Sequence, residues 1–234
     1  MPKKSKKAPK GLSQIQQIGI AAAIVAGIVL ILLVLSLSSK SNQSITTQHN
    51  ANTPAPSQAP VSTLAVKQYP SPPPMTIDVN KQYFADFKLA KGGEFVVQLF
   101  PDKAPITVNN FVFLARDGFY NGVTFHRVLD GFMAQGGDPT GTGMGGPGYQ
   151  FVNEDNDLKF DKPGVVAMAN PRRDTNGSQF FITFAPADSL NGGYTIFGQV
   201  ISGMDVVNGI TRRDPQQNPT FTGDVIESVT ITEK

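Results

Sequence analysis

The chain has 234 residues, which is enough for one good-sized domain with appendages. It contains no cysteine, and this excludes disulfide bonds, thiolate nucleophiles and cysteine-ligated zinc. The net charge of +2 is unevenly distributed, because all 18 acidic residues lie from Asp78 onward beside only 13 of the 20 basic residues. That part of the chain carries a net charge of −5, which argues against a nucleic-acid-binding face.

An uncharged apolar run occupies residues 18–37 and follows a basic tail, residues 1–17, that contains five lysines. About 20 apolar residues suffice to cross roughly 30 Å of hydrocarbon as a helix. The lysines predict a cytoplasmic N-terminus, with everything after the run outside the cytoplasm. We expect a single-pass signal anchor in the cell membrane. The alternative is a cleaved signal peptide with a weak site at residues 36–38, which would give a secreted protein.

Residues 38–74 are rich in Ser, Thr, Gln, Asn, Ala and Pro and contain little that could be buried. Such a composition predicts a disordered linker, which would serve as a stalk between the membrane and a folded domain. A proline-rich ligand for another module is the alternative interpretation. The folded domain is predicted over residues 75–234.

Within this domain, alternating apolar residues and turn signals predict many short strands. The predicted strands cover residues 83–89, 94–100, 123–128, 165–169, 179–184, 194–200 and 225–231. Two helices are predicted over residues 105–117 and 204–210, the first with Pro105 in its first turn and Gly118 after its end. A glycine-rich loop covers residues 136–148. The pattern indicates a mainly β fold, a closed barrel capped by two helices.

Two segments carry the functional signal: FHRVLDGFMAQGGD at residues 125–138 and NGSQFFI at residues 176–182. They place one arginine, several amides and large apolar side chains next to glycines. In these segments the chain resembles the cyclophilin-type peptidyl-prolyl cis-trans isomerases, and the resemblance extends over roughly residues 84–231. The resemblance implies an eight-stranded antiparallel barrel and an enzyme that accelerates rotation about X-Pro bonds.

Such an enzyme needs a donor that stabilises the twisted amide and an apolar pocket for the proline ring. Arg127 is the candidate catalytic donor, because its guanidinium stays charged and presents a rigid fork of N–H groups. The resemblance implies a further set of groove residues: Phe132, Met133, Gln135, Ala169, Asn170, Gln179, Phe181, Leu190 and Tyr194.

The resemblance also implies distinct roles for these groove residues. Aromatic and thioether side chains would form the proline pocket. Gln135 and Gln179 would hold the peptide backbone and orient Arg127. Asn170 would pair through its main chain with the residues that precede the proline.

The sequence departs from the family at Ser189, where many members have Trp, and at Tyr194, where His is usual. Because the family Trp contributes to cyclosporin binding, Ser189 predicts weak binding of that inhibitor, whereas Tyr194 can still cover the edge of the pocket. His126 is expected to be packed and hydrogen-bonded on the strand face opposite Arg127 rather than to act as an acid or base.

No metal or cofactor is expected from these residues. The glycine-rich loop lacks the Gly-Lys-Ser/Thr ending of a phosphate-binding loop. The acidic cluster at residues 154–157 lacks the ligand spacing of a calcium site and is predicted to be a solvated loop.

We therefore expect a membrane-tethered prolyl isomerase with a monomeric catalytic domain that binds proline-containing segments of unfolded or exported proteins. In two alternative functions the protein would bind its partners with little catalysis of X-Pro rotation. One is a module that only binds proline-containing peptides, and the other is a general holdase chaperone.

Overall fold

The structure is a computed structural model that describes residues 66–234. The predicted basic tail, the apolar run at residues 18–37 and the linker as far as residue 65 lie outside the described residues. Within the described range, none of the helices combines the length and the apolar character that a membrane span requires.

The described residues form one antiparallel sheet and two α-helices. The strands are β1 (Tyr83–Leu89), β2 (Glu94–Leu99), β3 (Arg127–Leu129), β4 (Met133–Gly136), β5 (Val165–Met168), β6 (Phe180–Thr183), β7 (Ile196–Ser202) and β8 (Ile226–Glu233). The helices are α1 (Pro105–Arg116) and α2 (Met204–Asn208). Across the sheet the strand order is β3-β4-β6-β5-β7-β2-β1-β8, which leaves β3 and β8 at the edges.

The two edges of the sheet meet through the segments that precede β3 and β8. Thr124 lies opposite Val225 in an isolated antiparallel bridge. The N–H of Phe125 donates to the carbonyl of Asp224 at 2.9 Å. Gly223, with φ of +100°, permits this approach, because a Cβ there would meet the carbonyl oxygen of Phe125. The sheet is thus a half-barrel whose two edges contact each other over only a few residues. The sequence predicted a fully closed barrel, and this part of the prediction is corrected.

Most predicted elements are present with shifts of one or two residues at their ends, and two predictions differ more. The predicted strand at 123–128 begins only at Arg127, because residues 123–125 instead contact the segment leading into β8. β4 was not predicted. It ends at Gly136, where the predicted glycine-rich loop begins, so it reads as part of the approach to that loop. It pairs with β3 on one side and with β6 on the other.

The main core lies between the sheet and α1. In β1, Tyr83, Phe87 and the other alternate residues point inward, as the alternation in the sequence predicts. Helix α1 buries its predicted apolar face, including Phe111, which contacts Phe180 and Phe197 from β6 and β7. This core fixes the positions of the strands that carry the candidate site.

Glu154 stabilises the start of α1 from a distant loop. Its carboxylate accepts hydrogen bonds from the backbone N–H groups of Ile106 and Thr107 at 2.8 and 2.7 Å and from the hydroxyl of Thr107 at 2.7 Å. A carboxylate at this position satisfies free N–H groups and complements the positive end of the helix dipole. The prediction that the acidic cluster is simply solvated is therefore wrong for Glu154, because this acceptor is needed by a helix nearly 50 residues earlier in the chain.

Candidate active site

One open cavity of about 1080 Å³ lies at the end of the sheet that contains β3, β4 and β6. It is lined by a glycine-rich wall from Gly143 to Gly148 on one side and by a cluster of apolar side chains on the other. All ten residues that the sequence proposed for the site line this cavity: Arg127, Phe132, Met133, Gln135, Ala169, Asn170, Gln179, Phe181, Leu190 and Tyr194.

Strand alternation brings Arg127, Gln135 and Phe181 into one row. Arg127 of β3 pairs with Gln135 of β4, and Gln135 pairs with Phe181 of β6. Side chains directly opposite each other on neighbouring strands lie on the same face of a sheet. The residues next to them along the strands, such as Ala134 and Ile182, point to the opposite face and are fully buried in the main core. The period-2 pattern therefore separates the core from the cavity.

The apolar part of the cavity is the exposed rim of a second, smaller hydrophobic cluster. Phe181 is 5% exposed and stacks on the buried Phe160 with 5.7 Å between ring centroids. The ring of Tyr194 meets Phe181 edge-on at 5.4 Å. Met133 is also buried there, whereas Phe132 is only half-buried. A compact apolar ring would fit against these aromatic and thioether surfaces.

A chain of hydrogen bonds connects the arginine to the glycine-rich wall. The Arg127 Nη1 donates to Gln135 Oε1 at 3.4 Å, and Gln135 Nε2 donates to Gln179 Oε1 at 3.0 Å. The Nε2 of Gln179 donates in turn to the carbonyls of Gly143 and Gly145 at 3.0 and 2.9 Å. Both glutamine oxygens are thus oriented as acceptors, which directs the guanidinium along the cavity edge.

The glycine-rich wall is held from below by Asp138, which is fully buried. Its carboxylate accepts hydrogen bonds from the backbone N–H groups of Thr140, Gly143 and Gly145 at 2.7, 2.6 and 3.1 Å. Burial alone would raise the pKa of Asp138. The hydrogen bonds from Thr140, Gly145 and Gly143 outweigh burial and leave its pKa below the ordinary value. Asp138 therefore remains a carboxylate that fixes the loop.

Asn170 lies two residues after the end of β5 and lines the cavity. Its Nδ2 donates to Asn176 Oδ1 at 2.7 Å and to Asn153 Oδ1 at 3.2 Å. Within residues 66–234, the backbone N–H and carbonyl of Asn170 have no hydrogen-bond partner. The side chain thus serves to position the backbone, and the backbone is the part that is available for a peptide.

His126 is packed, as predicted, and is 2% exposed, with its ring beside Gly143 of the glycine-rich loop. The prediction that it would be hydrogen-bonded is not met, because neither ring nitrogen has a partner among the described residues. Burial lowers the pKa of His126, and the negative charge of Asp138 opposes this shift only in part. His126 is therefore a neutral packed side chain outside the cavity.

Sequence reasoning missed several residues that shape the cavity. Asn176 is fully buried and accepts the hydrogen bond that orients Asn170. It belongs to the NGSQFFI segment, but the sequence analysis did not predict a role for it in the site. Gln68 also lines the cavity, and no sequence signal marked it because its contacts are with residues about 80 positions later. Ser189 is exposed in a 3₁₀ turn and does not line the cavity.

The described residues thus form an antiparallel half-barrel in which Arg127 lies beside an apolar cavity. At the edge of this cavity the backbone of Asn170 has no partner among the described residues. This combination is typical of a site for an extended peptide. The sequence profile of the family described as "Cyclophilin type peptidyl-prolyl cis-trans isomerase/CLD" matches residues 84–232. The chain therefore belongs to the cyclophilin-type peptidyl-prolyl cis-trans isomerases, the enzymes that interconvert the cis and trans forms of X-Pro bonds.

Individual relatives agree with this assignment. The chain is 51% identical over 133 residues to "Peptidyl-prolyl cis-trans isomerase-like 1" of Mus musculus, covering 54% of this chain and 80% of the relative. It is 48% identical over 158 residues to "Peptidyl-prolyl cis-trans isomerase A" of Mycobacterium tuberculosis, covering 59% and 87%.

Solved structures show the same fold. A cyclophilin-type isomerase of Cryptosporidium parvum matches with a TM-score of 0.59 and 34% identity, covering 65% of this chain and 99% of that protein. A second structure of that protein, obtained in the presence of the dipeptide Ala-Pro, matches with a TM-score of 0.58 and 34% identity, covering 64% and 99%.

Proposed function

We propose that the enzyme rotates X-Pro bonds by arginine-assisted twisting, without forming a covalent bond to the substrate. Twisting the amide removes its resonance, which is why the uncatalysed barrier is roughly 18–20 kcal/mol. The proline nitrogen becomes pyramidal in the twisted state and regains a lone pair. A donor aimed at that nitrogen stabilises the twisted state more than either planar isomer, and this difference is what lowers the barrier.

Arg127 is the residue that would supply this donor. The observation that carries the proposal is the pairing of Arg127 with Gln135 directly beside Phe181 and the apolar cluster. A proline ring against Phe132, Met133 and Phe181 would bring its nitrogen toward the guanidinium. Because the guanidinium is oriented before the substrate arrives, little reorganisation is needed during rotation.

The neighbouring polar groups would hold the peptide on either side of the proline. Gln135 and Gln179 orient each other and lie at the centre of the cavity wall. The unpaired backbone groups of Asn170 can form strand-like hydrogen bonds with the residues before the proline. Leu190, Tyr194 and Ala169 complete the apolar rim. These contacts define the substrate as an extended, proline-containing peptide segment.

An exchange assay on an X-Pro peptide tests this mechanism. Arg127→Ala should lower kcat, and with it kcat/KM, by about 10²–10³-fold, the loss typical of removing one preorganised donor. Arg127→Lys should recover only part of the activity, because lysine lacks the rigid fork of donors. Arg116→Ala is the matched control, since this arginine pairs with Glu233 on the surface away from the cavity. Wild-type kcat/KM in Arg127→Ala would refute the mechanism.

We further propose that the monomeric catalytic domain works outside the cytoplasm, tethered to the membrane, on proline-containing segments of exported chains that are still unfolded. The support is in the sequence: five lysines precede the uncharged run at residues 18–37, and a proline-rich linker follows it. An uncleaved anchor would keep the enzyme where exported chains emerge.

The mass of the mature protein extracted from membranes tests the tether. We expect the full-length mass in the membrane fraction and loss from that fraction when Val25→Arg and Leu32→Arg are combined. Each arginine at the centre of a membrane helix costs about 2.5–3.5 kcal/mol on insertion scales. A soluble mature protein shortened by about 38 residues would instead show a cleaved signal peptide.

A further inference from the structure

The segment Lys67–Tyr69, here called the strap, precedes the part of the chain that matches the family and nevertheless packs on the domain. The family match begins at residue 84. The strap runs beside the glycine-rich wall, residues 143–148, and its residue Gln68 lines the cavity. The strap thus brings a side chain from outside the common fold to the peptide site.

Tyr69 anchors the strap in an aromatic cluster. Its ring meets Phe113 of α1 edge-on with 5.2 Å between centroids and also contacts Phe119 and Tyr149 at 6.2 and 6.4 Å. Its hydroxyl donates to Asp117 Oδ2 at 2.7 Å, and the same carboxylate pairs with Lys67 at 2.9 Å. Aromatic packing and a hydrogen bond to a carboxylate together hold the strap in one position.

The strap holds one end of the glycine-rich wall. The N–H of Tyr69 donates to the carbonyl of Pro147 at 2.8 Å, and Gln68 Nε2 donates to the carbonyl of Gly146 at 2.8 Å. Gly148, with φ of +97°, permits the close approach, because a Cβ there would lie 2.8 Å from the carbonyl oxygen of Tyr69. The other end of the wall is held separately by Gln179 and Asp138.

A loop composed largely of glycine has many conformations available and loses much entropy when it is ordered. The bonds from Asp138 and Gln179 reach Gly143 and Gly145, whereas the carbonyls of Gly146 and Pro147 accept their hydrogen bonds from the strap. Without the strap, this half of the wall would have to be ordered by the substrate itself, at a cost to affinity.

We propose that the strap is a positioning element of the substrate site: it pre-orders residues 146–148 and thereby strengthens binding of the peptide. This inference rests on the proposed function of the cavity. Gln68 contacts neither Arg127 nor the proline pocket, so its effect belongs to peptide binding and leaves the rotation step unchanged. Gln68 acts on the substrate through the loop and is therefore a positioning residue.

The test measures KM and kcat of the full-length protein with an X-Pro peptide, together with hydrogen exchange of the Tyr69 amide, which donates to the carbonyl of Pro147. Gln68→Ala should raise KM about threefold to tenfold, the size expected for loss of one hydrogen bond, and leave kcat within about twofold. Gln68→Glu should behave likewise, because a carboxylate cannot donate to Gly146. Exchange of the Tyr69 amide should accelerate in both variants.

Gln216→Ala serves as the matched control, since Gln216 is exposed in a surface turn away from the cavity. Lys67→Ala is a comparison within the strap and not a control. It removes the exposed contacts of Lys67 with the carboxylate and carbonyl of Asp117. Both bonds to the glycine-rich wall stay in place, so its KM should rise less than that of the Gln68 variants. An unchanged KM in both Gln68 variants, or a fall in kcat at constant KM, would overturn the proposal. The Arg127→Ala result is read on kcat, so the strap and the arginine mechanism can fail independently.

Discussion

Arg127 does not stand alone in the cavity, because its guanidinium is held by the amide oxygen of Gln135, which is held in turn by Gln179. In the proposed mechanism the direction of the guanidinium matters as much as its charge, since the developing lone pair on the proline nitrogen is directional. Gln135 would therefore contribute mainly by orienting the arginine.

A double-mutant cycle tests this dependence. Gln135→Ala should lower kcat about tenfold, because a freely rotating guanidinium points at the substrate only part of the time. Arg127→Ala combined with Gln135→Ala should cost no more than Arg127→Ala alone, since an orienting residue has no effect once its target is gone. If the two losses in kcat multiply, Gln135 acts on the substrate directly.

His126 predicts a specific pH dependence of stability. Its folded-state pKa is lowered, first by burial, so the folded protein binds fewer protons there than the unfolded chain does. The contribution of a neutral His126 is complete above the unfolded value near 6.5 and is lost as the pH falls below it. Carboxylates with lowered pKa, such as Asp138, lose their contribution only at lower pH, below about 4.

Denaturant unfolding between pH 7.5 and 5 measures this dependence. The free energy of unfolding of the wild type should fall as the pH drops below about 6.5. In His126→Gln the decline over this range should be smaller, whatever the absolute stability of the variant. Equal slopes in the two proteins would mean that His126 remains neutral in both states or is protonated equally in both.

At the level of elements, β4 is the strand on which the site depends and the one that the sequence did not predict. Its residues Met133 and Gln135 face the cavity, whereas Ala134 faces the main core. β5 and β6 are equally short, but they lie in continuous runs of apolar residues. β4 instead contains Gln135 and ends at Gly136, so its sequence cannot be distinguished from a loop. Longer strands such as β1 were predicted correctly because their alternation extends over seven residues.

Gly137, which follows β4, is where the chain turns away from the sheet to form the glycine-rich loop. Its φ is +85°, and a Cβ would collide with the carbonyl oxygen of Ser178. Gly137→Ala should therefore lower the free energy of unfolding by at least about 2 kcal/mol, through strain and backbone displacement. The displacement should also disturb Gln179, the next residue after Ser178.

Gly92→Ala is the matched control for this prediction. Gly92 has φ of +93° in the turn between β1 and β2, but nothing lies within 4 Å of the added Cβ. It should cost only the conformational strain of about 1 kcal/mol. Chemical denaturation of both variants gives the comparison, and equal losses would show that backbone conformation alone, without the contact to Ser178, sets the cost.

At the scale of the whole molecule, the sequence was sufficient to predict the family, the mainly β architecture and ten of the residues that line the cavity. Six of these ten residues lie in the two segments 125–138 and 176–182, which the fold places on neighbouring strands, and the other four came from the family resemblance. The connections made by Gln68 and Glu154 could not be predicted. Their partners lie roughly 50 to 80 residues away in sequence, and no local pattern specifies such pairings.

The positive charge of the N-terminal segment and the net negative charge from Asp78 onward match the two roles proposed for these parts, membrane attachment and catalysis. All acidic residues lie from Asp78 onward and five lysines lie within residues 1–17, with the predicted anchor and linker between the two groups. In the proposed arrangement the tail would face the anionic inner surface of the membrane, and the domain would be kept in solution outside. Catalysis itself would depend only on the cavity, so the domain and the tether can be tested separately.

The central claim is that Arg127 stabilises the twisted X-Pro bond rather than the bound peptide. NMR measurement of affinity and of cis-trans exchange on one X-Pro peptide, with wild type and Arg127→Ala, tests this claim most directly. The account predicts that the dissociation constant changes by less than about tenfold while the catalysed exchange rate at saturation falls about 10²–10³-fold. Undiminished exchange at saturation in Arg127→Ala, or a loss of exchange fully explained by weaker binding, would contradict it.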